Sequence, residues 1–110
     1  MPTAKELTDQ GFDLFAGGNP DGALETLKQA VAADPDYIEA WRNLAMVYGV
    51  KGMLDDAVAA ARRVVEIDPD DHLGYVSLSM FLQRQGKIPE AEDAKAEAMA
   101  AQMRSTRGQA

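Results

Sequence analysis

The chain contains no cysteine and only one histidine, His72, among its 110 residues. It therefore has no disulfide bonds and no thiolate nucleophile, and a lone histidine cannot complete the ligand sets of structural zinc sites. Asp68, Asp70 and Asp71 cluster beside His72, but the glycine turn and spaced glutamate of a calcium loop are missing. We interpret these carboxylates as helix-capping groups and His72 as a solvated residue at a helix start. No metal site is expected.

The sequence also lacks the side-chain groupings on which catalysis depends. No nucleophile, base and orienting group stand together in a recognisable pattern. The glycines are isolated turn residues and do not form a phosphate-binding loop. We therefore expect no catalytic residues, no cofactor and no enzymatic activity.

Long apolar runs and an excess of positive charge are missing too. Apolar runs are short, as at residues 57–61, far below the ~20 residues that span a bilayer, and the N terminus does not resemble a secretory signal. Lysine and arginine number 11 against 18 aspartates and glutamates, a net charge of −7. This charge disfavours nucleic acid and anionic membranes, and favours either solubility alone or basic partners. We expect a soluble, cytoplasmic protein.

The sequence does contain a constant period of 34 residues. Three glycines stand at this interval: Gly18, Gly52 and Gly86. An alanine follows each glycine by five positions: Ala23, Ala57 and Ala91. The segment Asp-Pro-Asp occurs at 34–36 and again at 68–70. A fixed interval over three copies predicts a repeat protein.

Turn signals divide each copy into two predicted helices. The Gly-Asn-Pro segment at 18–20 combines a helix end, a cap and a proline at the first helical position. Pro35 stops the second helix. Asp36 is then expected to cap the next helix, and Glu39 to complete a capping box. The predicted helices span residues 3–16, 20–33, 37–50, 54–67, 71–84 and 88–104.

The repeated positions resemble the tetratricopeptide repeat (TPR) family, a 34-residue helix-turn-helix unit. The middle copy matches best, at Trp41, Leu44, Ala45, Tyr48, Ala57, Ala61, Val64 and Pro69. The resemblance implies an all-α fold, an alpha-alpha superhelix (a right-handed solenoid) of three such units and six helices. A single TPR domain is then expected over residues 1–110, with repeats at about 4–37, 38–71 and 72–105 and a disordered tail at 106–110.

The outermost helices depart from the repeat pattern. Leu44 and Leu78 occupy positions that should face the preceding copy. The corresponding surface of the first copy is polar, with Glu6, Gln10 and Asp13. At the other end, Glu92 and Lys95 replace apolar residues of the earlier copies. Since terminal repeats need polar outer faces, we expect the array to be complete at three repeats.

The resemblance also implies a function as a protein–protein interaction adaptor or scaffold, because the first helices of such repeats line a concave groove that usually binds a peptide. The groove predicted here consists of Phe12, Phe15, Arg42, Asn43, Met46, Val50, Leu73, Val76, Met80 and Arg84. It is largely apolar, so we expect capture of a peptide or amphipathic helix with apolar anchors. Arg42 and Arg84 are candidates to anchor acidic groups. The alternative is that part of this set is core.

One subclass of the family clamps the C-terminal carboxylate of chaperones with lysines, asparagines and an arginine. The matching positions here are Thr8, Phe12, Asn43, Leu73 and Ser77, of which only Asn43 keeps the required residue type. We therefore do not expect a chaperone C-terminal tail as the partner.

A different class of function is a self-associating structural module that uses the C-terminal helix. An apolar face is predicted there, formed by Ala96, Met99, Ala100 and Met103. It either packs inward, is tolerated at the surface, or supports a weak homodimer.

Overall fold

The structure is a computed structural model that describes residues 1–108. Six helices follow one another: α1 (Ala4–Ala16), α2 (Pro20–Ala33), α3 (Ile38–Val50), α4 (Leu54–Ile67), α5 (His72–Arg84) and α6 (Ile88–Gly108). They confirm the predicted alpha-alpha solenoid of three helix pairs. Eleven of the twelve helix ends agree with the sequence prediction to within one residue, and the exception is the end of α6.

Helix α6 has 21 residues, whereas the other helices have 13 or 14. It continues through residues 106–108, part of the tail predicted to be disordered, and residues 109–110 lie outside the described part of the chain. After Pro89 in its first turn, no proline or glycine interrupts α6 before Gly108. The Nε of Arg104 also donates to Asp70 Oδ1 at 2.9 Å, which ties this extension to the loop before α5.

The helices form two layers. Each odd-numbered helix packs on the next helix of its own repeat, and α2 and α4 pack on α3 and α5 of the following repeats. The molecule measures 40 × 35 × 21 Å, and its shortest dimension is about two helix diameters of ~10 Å each. We call the outer surface of α1, α3 and α5 the first-helix face.

Small residues allow the two helices of a repeat to approach closely, as their periodic placement predicts. A Cβ on Gly11 of α1 would lie only 2.7 Å from the Cγ of Leu27 on α2. In the third repeat, the hydroxyl of Ser79 donates to the carbonyl of Ala91 at 2.8 Å. Ala91 is itself buried, so bulkier side chains at these positions would force the helices apart.

The recurring glycines end the first helix of each repeat. Gly18, Gly52 and Gly86 have φ angles of +87°, +74° and +79°, which side chains with a Cβ rarely adopt. The N–H of the next residue turns back onto the helix, as when Asn19 donates to the carbonyl of Leu14 at 2.8 Å. This left-handed helix end is the physical reason for glycine at every 34th position.

The predicted cap of α3 is wrong. The helix begins one residue later than a cap at Asp36 requires, and Tyr37 at the cap position makes no side-chain capping hydrogen bond. Asp36 is instead bound by Arg63 of α4, whose Nη2 donates to its Oδ1 at 2.9 Å. Glu39, the expected partner in a capping box, contacts Nε of Arg42 at 3.1 Å.

The loop before α5 repeats this arrangement with one difference. Asp70 is bound by Arg104, as Asp36 is by Arg63. The following residue is Asp71, where the earlier loop has tyrosine, and its Oδ1 accepts from the N–H of Leu73 at 3.2 Å. Asp71 thus caps α5, and His72 is the first residue of that helix.

Both end surfaces are exposed where the sequence predicts polar faces. The side chains concerned are Glu6, Gln10 and Asp13 on α1 and Glu92 and Lys95 on α6. Met99 and Met103 of α6 are 61% and 56% exposed, so they do not pack inward. Within residues 1–108, no helix is long and apolar enough to cross a membrane.

Candidate interaction surface

The first-helix face exposes large apolar side chains. Five of them are about half exposed or more: Phe12, Val50, Leu73, Val76 and Met80. Two other residues predicted for the groove, Phe15 and Met46, are half-buried and pack against the core. Because apolar side chains concentrated on one face mark candidate interaction sites, the predicted groove is a surface for the most part and core in part.

A cavity of about 570 Å³ opens between α3 and α5. Six predicted groove residues line it: Arg42, Met46, Val50, Leu73, Met80 and Arg84. The rest of its wall is made of the small or buried residues Ala45, Gly49, Ala61, Val64, Gly74, Ser77 and Phe81. We call it the apolar cavity. Its volume is in the range typical of ligand-binding pockets.

A glycine in the last turn of α3 forms part of the wall of the apolar cavity. Gly49 packs against the ring of Phe81, and a Cβ there would lie 2.5 Å from the ring Cε1. One repeat earlier, the position of Gly49 is occupied by Phe15 and that of Phe81 by Val47. Phe15 packs against the core cluster that contains Val47, so the large side chain is on the earlier helix between the first two repeats and on the later helix between the second and third.

Both arginines of the apolar cavity are held by other groups. Arg42 contacts Glu39 at 3.1 Å through Nε and pairs with the carboxylate of Asp71 through Nη1. Nη1 of Arg84 donates to the carbonyl of Gly49 at 3.1 Å. Arg42 is therefore neutralised by two carboxylates and is a poor anchor for an acidic ligand group, a restriction that the sequence pattern did not indicate.

A second cavity, of about 360 Å³, opens between α1 and α3. Its lining consists of Thr8, Asp9, Phe12, Asp13, Tyr37, Glu39 and Asn43. We call it the acidic cavity, because it contains three carboxylates. Lys5 lies next to it, and its Nζ donates to Asp9 Oδ2 at 2.9 Å. This bond raises the pKa of Lys5 above its ordinary value.

The two cavities account for eight of the ten predicted groove residues. Six line the apolar cavity, and Phe12 and Asn43 line the acidic cavity. Val76 is exposed but lines neither, and Phe15 packs on the core. The prediction missed Tyr37 and Gly49. Gly49 is detectable in the aligned repeats, where it stands in place of a phenylalanine.

Comparison with known proteins gives a family match over much of the chain. A family model described as Tetratricopeptide repeat matches residues 14–79, more than half of the sequence. DnaJ homolog subfamily C member 3 of Bos taurus is 32% identical over 83 residues, which are 76% of this chain and 16% of that protein. This chain thus spans only about 16% of the length of the curated relatives it matches.

Two solved structures show the same fold. MamA superposes with a TM-score of 0.92 at 23% identity, covering 96% of this chain and 61% of that one. The second TPR of Spaghetti (RPAP3), solved with an HSP90 peptide, superposes with a TM-score of 0.83 at 20% identity, covering 90% of this chain and 92% of that one. TPR proteins are generally non-enzymatic modules for protein–protein interaction. From its period, its three helix pairs and its match to the family model, this chain belongs to the tetratricopeptide repeat family.

Proposed function

We propose that this chain is an adaptor that holds a segment of another protein against its first-helix face, with an apolar side chain of that segment in the apolar cavity. The main support is that the cavity has exposed apolar residues at its rim, Val50, Leu73 and Met80. Removing such surface from water contributes about 25 cal/mol per Å². A volume of about 570 Å³ is ample for a leucine or phenylalanine side chain.

The chemistry of the face argues against a chaperone tail as the partner. The RPAP3 domain was solved with an HSP90 peptide, but at 20% identity the likeness concerns the fold alone. At the clamp positions of this chain, Thr8 is buried and donates its hydroxyl to the carbonyl of Ala4 at 2.7 Å. Phe12 and Leu73 occupy positions where the clamp needs polar or cationic side chains. We therefore propose a partner held by an apolar anchor.

Self-association through α6 has weaker support. Its apolar face consists of only four side chains, of which Ala96, Met99 and Met103 are exposed and Ala100 is half-buried. Stable interfaces use about 20–30 residues on each side. We therefore expect light scattering to show a monomer up to high protein concentration. A dimer that Met99→Lys disrupts would instead support self-association through α6.

The proposed site can be tested with peptides selected for binding. Random 12-residue peptides displayed on phage are selected on the full chain, and synthetic copies are measured by fluorescence anisotropy. We expect Leu73→Ser/Met80→Ser to weaken binding about 30-fold, equivalent to ~2 kcal/mol. Because both side chains are exposed, the fold should persist, which circular dichroism checks.

Ile88→Ser is the matched control for this experiment. Ile88 is 48% exposed, as Met80 is, but it lies at the start of α6 and lines neither cavity. It should change affinity less than twofold. Failure of the library to yield any peptide, or selected peptides that bind the double variant unchanged, would reject the proposed site.

A further inference from the structure

The acidic cavity combines negative charge with aromatic surface. Asp9, Asp13 and Glu39 supply three carboxylates, and Phe12 and Tyr37 supply rings. Lys5 and Arg42 contact Asp9 and Glu39 respectively, whereas Asp13 makes no ion pair within residues 1–108. Phe12 is 48% exposed although it is aromatic. Carboxylates next to accessible rings are the surroundings that favour an ammonium or guanidinium group, by charge attraction and by cation–π contact.

The apolar cavity has the opposite preference. Arg42 and Arg84 stand at its wall, and leucine and methionine side chains make up its exposed rim. The wall contains no carboxylate, and Arg84 makes no ion pair within residues 1–108, so a basic ligand group would gain little there. The two cavities therefore differ in the side chain that each would accept, although both lie on the first-helix face.

We infer that the segment held by this chain carries a lysine or arginine, which enters the acidic cavity while the apolar anchor occupies the apolar cavity. This inference rests on the proposed function, and it specifies the chemistry of the partner. The segment then lies across α3 in one direction, with its basic residue towards the first repeat and its apolar anchor towards the third. The net charge of −7 supports the same kind of partner.

The spacing of the two residues follows from the repeat. The cavities lie on opposite sides of α3, and several lining residues are repeat equivalents: Phe12 and Met46, Glu39 and Leu73, Asn43 and Ser77. A helix with its side chains is ~10–12 Å across, so we place the two cavities about 10 Å apart. An extended segment covers this distance in about three residues, and a helical segment in about seven.

The test uses the peptides selected on the full chain as probes. We expect them to share an apolar residue and a lysine or arginine at one of these two separations. Replacing the basic residue by glutamine should weaken binding about fivefold, as expected for one or two exposed ion pairs. Asp9→Asn/Asp13→Asn should produce a similar loss with the unmodified peptide. Raising salt from 0.05 to 0.5 M should weaken binding of the unmodified peptide but not of its glutamine variant.

Glu25→Gln/Glu92→Gln is the matched control, since it removes the same charge from two exposed residues outside both cavities. It should change affinity less than twofold. Selected peptides that depend on Leu73 and Met80 but lack a basic residue, carry it at another separation, or ignore the Asp9/Asp13 variant would overturn the inference and leave the proposed function standing. Peptides that do not depend on Leu73 and Met80 would overturn both.

Discussion

The first junction lies between the first and second repeats, and the second junction lies between the second and third. Equivalent positions hold large and small side chains in a different order at these two junctions. The first junction has phenylalanine at position 15 and valine at 47, whereas the second has glycine at 49 and phenylalanine at 81. Gly49 lines the apolar cavity at the second junction, whereas Phe15 is half-buried against the core at the first. The exchange of side-chain size therefore accompanies a larger, apolar cavity at the second junction and a smaller, acidic cavity at the first.

The rims of the two junctions differ in polarity as well. Glu39 and Asn43 line the cavity at the first junction, and Leu73 and Ser77 are their equivalents at the second. One repeat scaffold therefore presents two neighbouring cavities with different chemistry. Such a difference suits recognition of a segment with unlike side chains more than a uniform apolar strip.

The largest effect is expected from truncating Phe81, the large buried residue of the second junction. Phe81 is 4% exposed and packs on Gly49, so Phe81→Ala should lower the free energy of unfolding by about 3–5 kcal/mol. Val47→Ala, the equivalent change at the first junction, removes a smaller side chain and should cost about 2 kcal/mol. Urea denaturation measures both. Equal losses would contradict the unequal division of volume between the junctions.

A smaller effect is expected from adding a side chain at Gly49, the position of the second junction that has none. Gly49→Ala places a methyl group about 2.5 Å from the buried Phe81 ring, and we expect a loss of about 1–3 kcal/mol in unfolding free energy. Combining it with Phe81→Leu should cost less than the sum of the two single changes, which a double-mutant cycle measures.

Gly108→Ala is the control for the glycine change itself, because nothing lies within 4 Å of a Cβ at that position. It should be neutral or slightly stabilising through helix propensity. Strict additivity of Gly49→Ala and Phe81→Leu would show that the two residues do not compete for the same space.

Features set by local spacing were predictable from the sequence, and features set by contacts between repeats were not. The turn at Gly18 and its two equivalents follows from a 34-residue interval and the conformational freedom of glycine. Asp36, the predicted cap of α3, is instead bound by Arg63. Arg63 is 27 residues away in sequence and contacts Asp36 only in the folded chain. The wall of the apolar cavity likewise includes Gly49 and Phe81, whose contact becomes visible only once consecutive repeats are packed together.

The smallest effects are expected at the loops that connect the junctions. Arg63 binds the first loop through Asp36, and there the indole N–H of Trp41 also donates to the carbonyl of Pro35 at 2.8 Å. In the second loop, Tyr75 takes the place of Trp41 and has no indole donor. This loop is instead bound by Arg104 of the α6 extension.

Both arginines are partly exposed, so Arg63→Ala and Arg104→Ala should each cost no more than about 1 kcal/mol in unfolding free energy, and less at high salt. The local consequences should differ. Without Arg104, the last turns of α6 lose their tie to Asp70, and amide hydrogen exchange over residues 102–108 should accelerate. Arg63→Ala should leave exchange in α4 unchanged, because that helix stays covered by α3 and α5. Unchanged exchange at the end of α6 would mean that the extension is stable without its contact to the second junction.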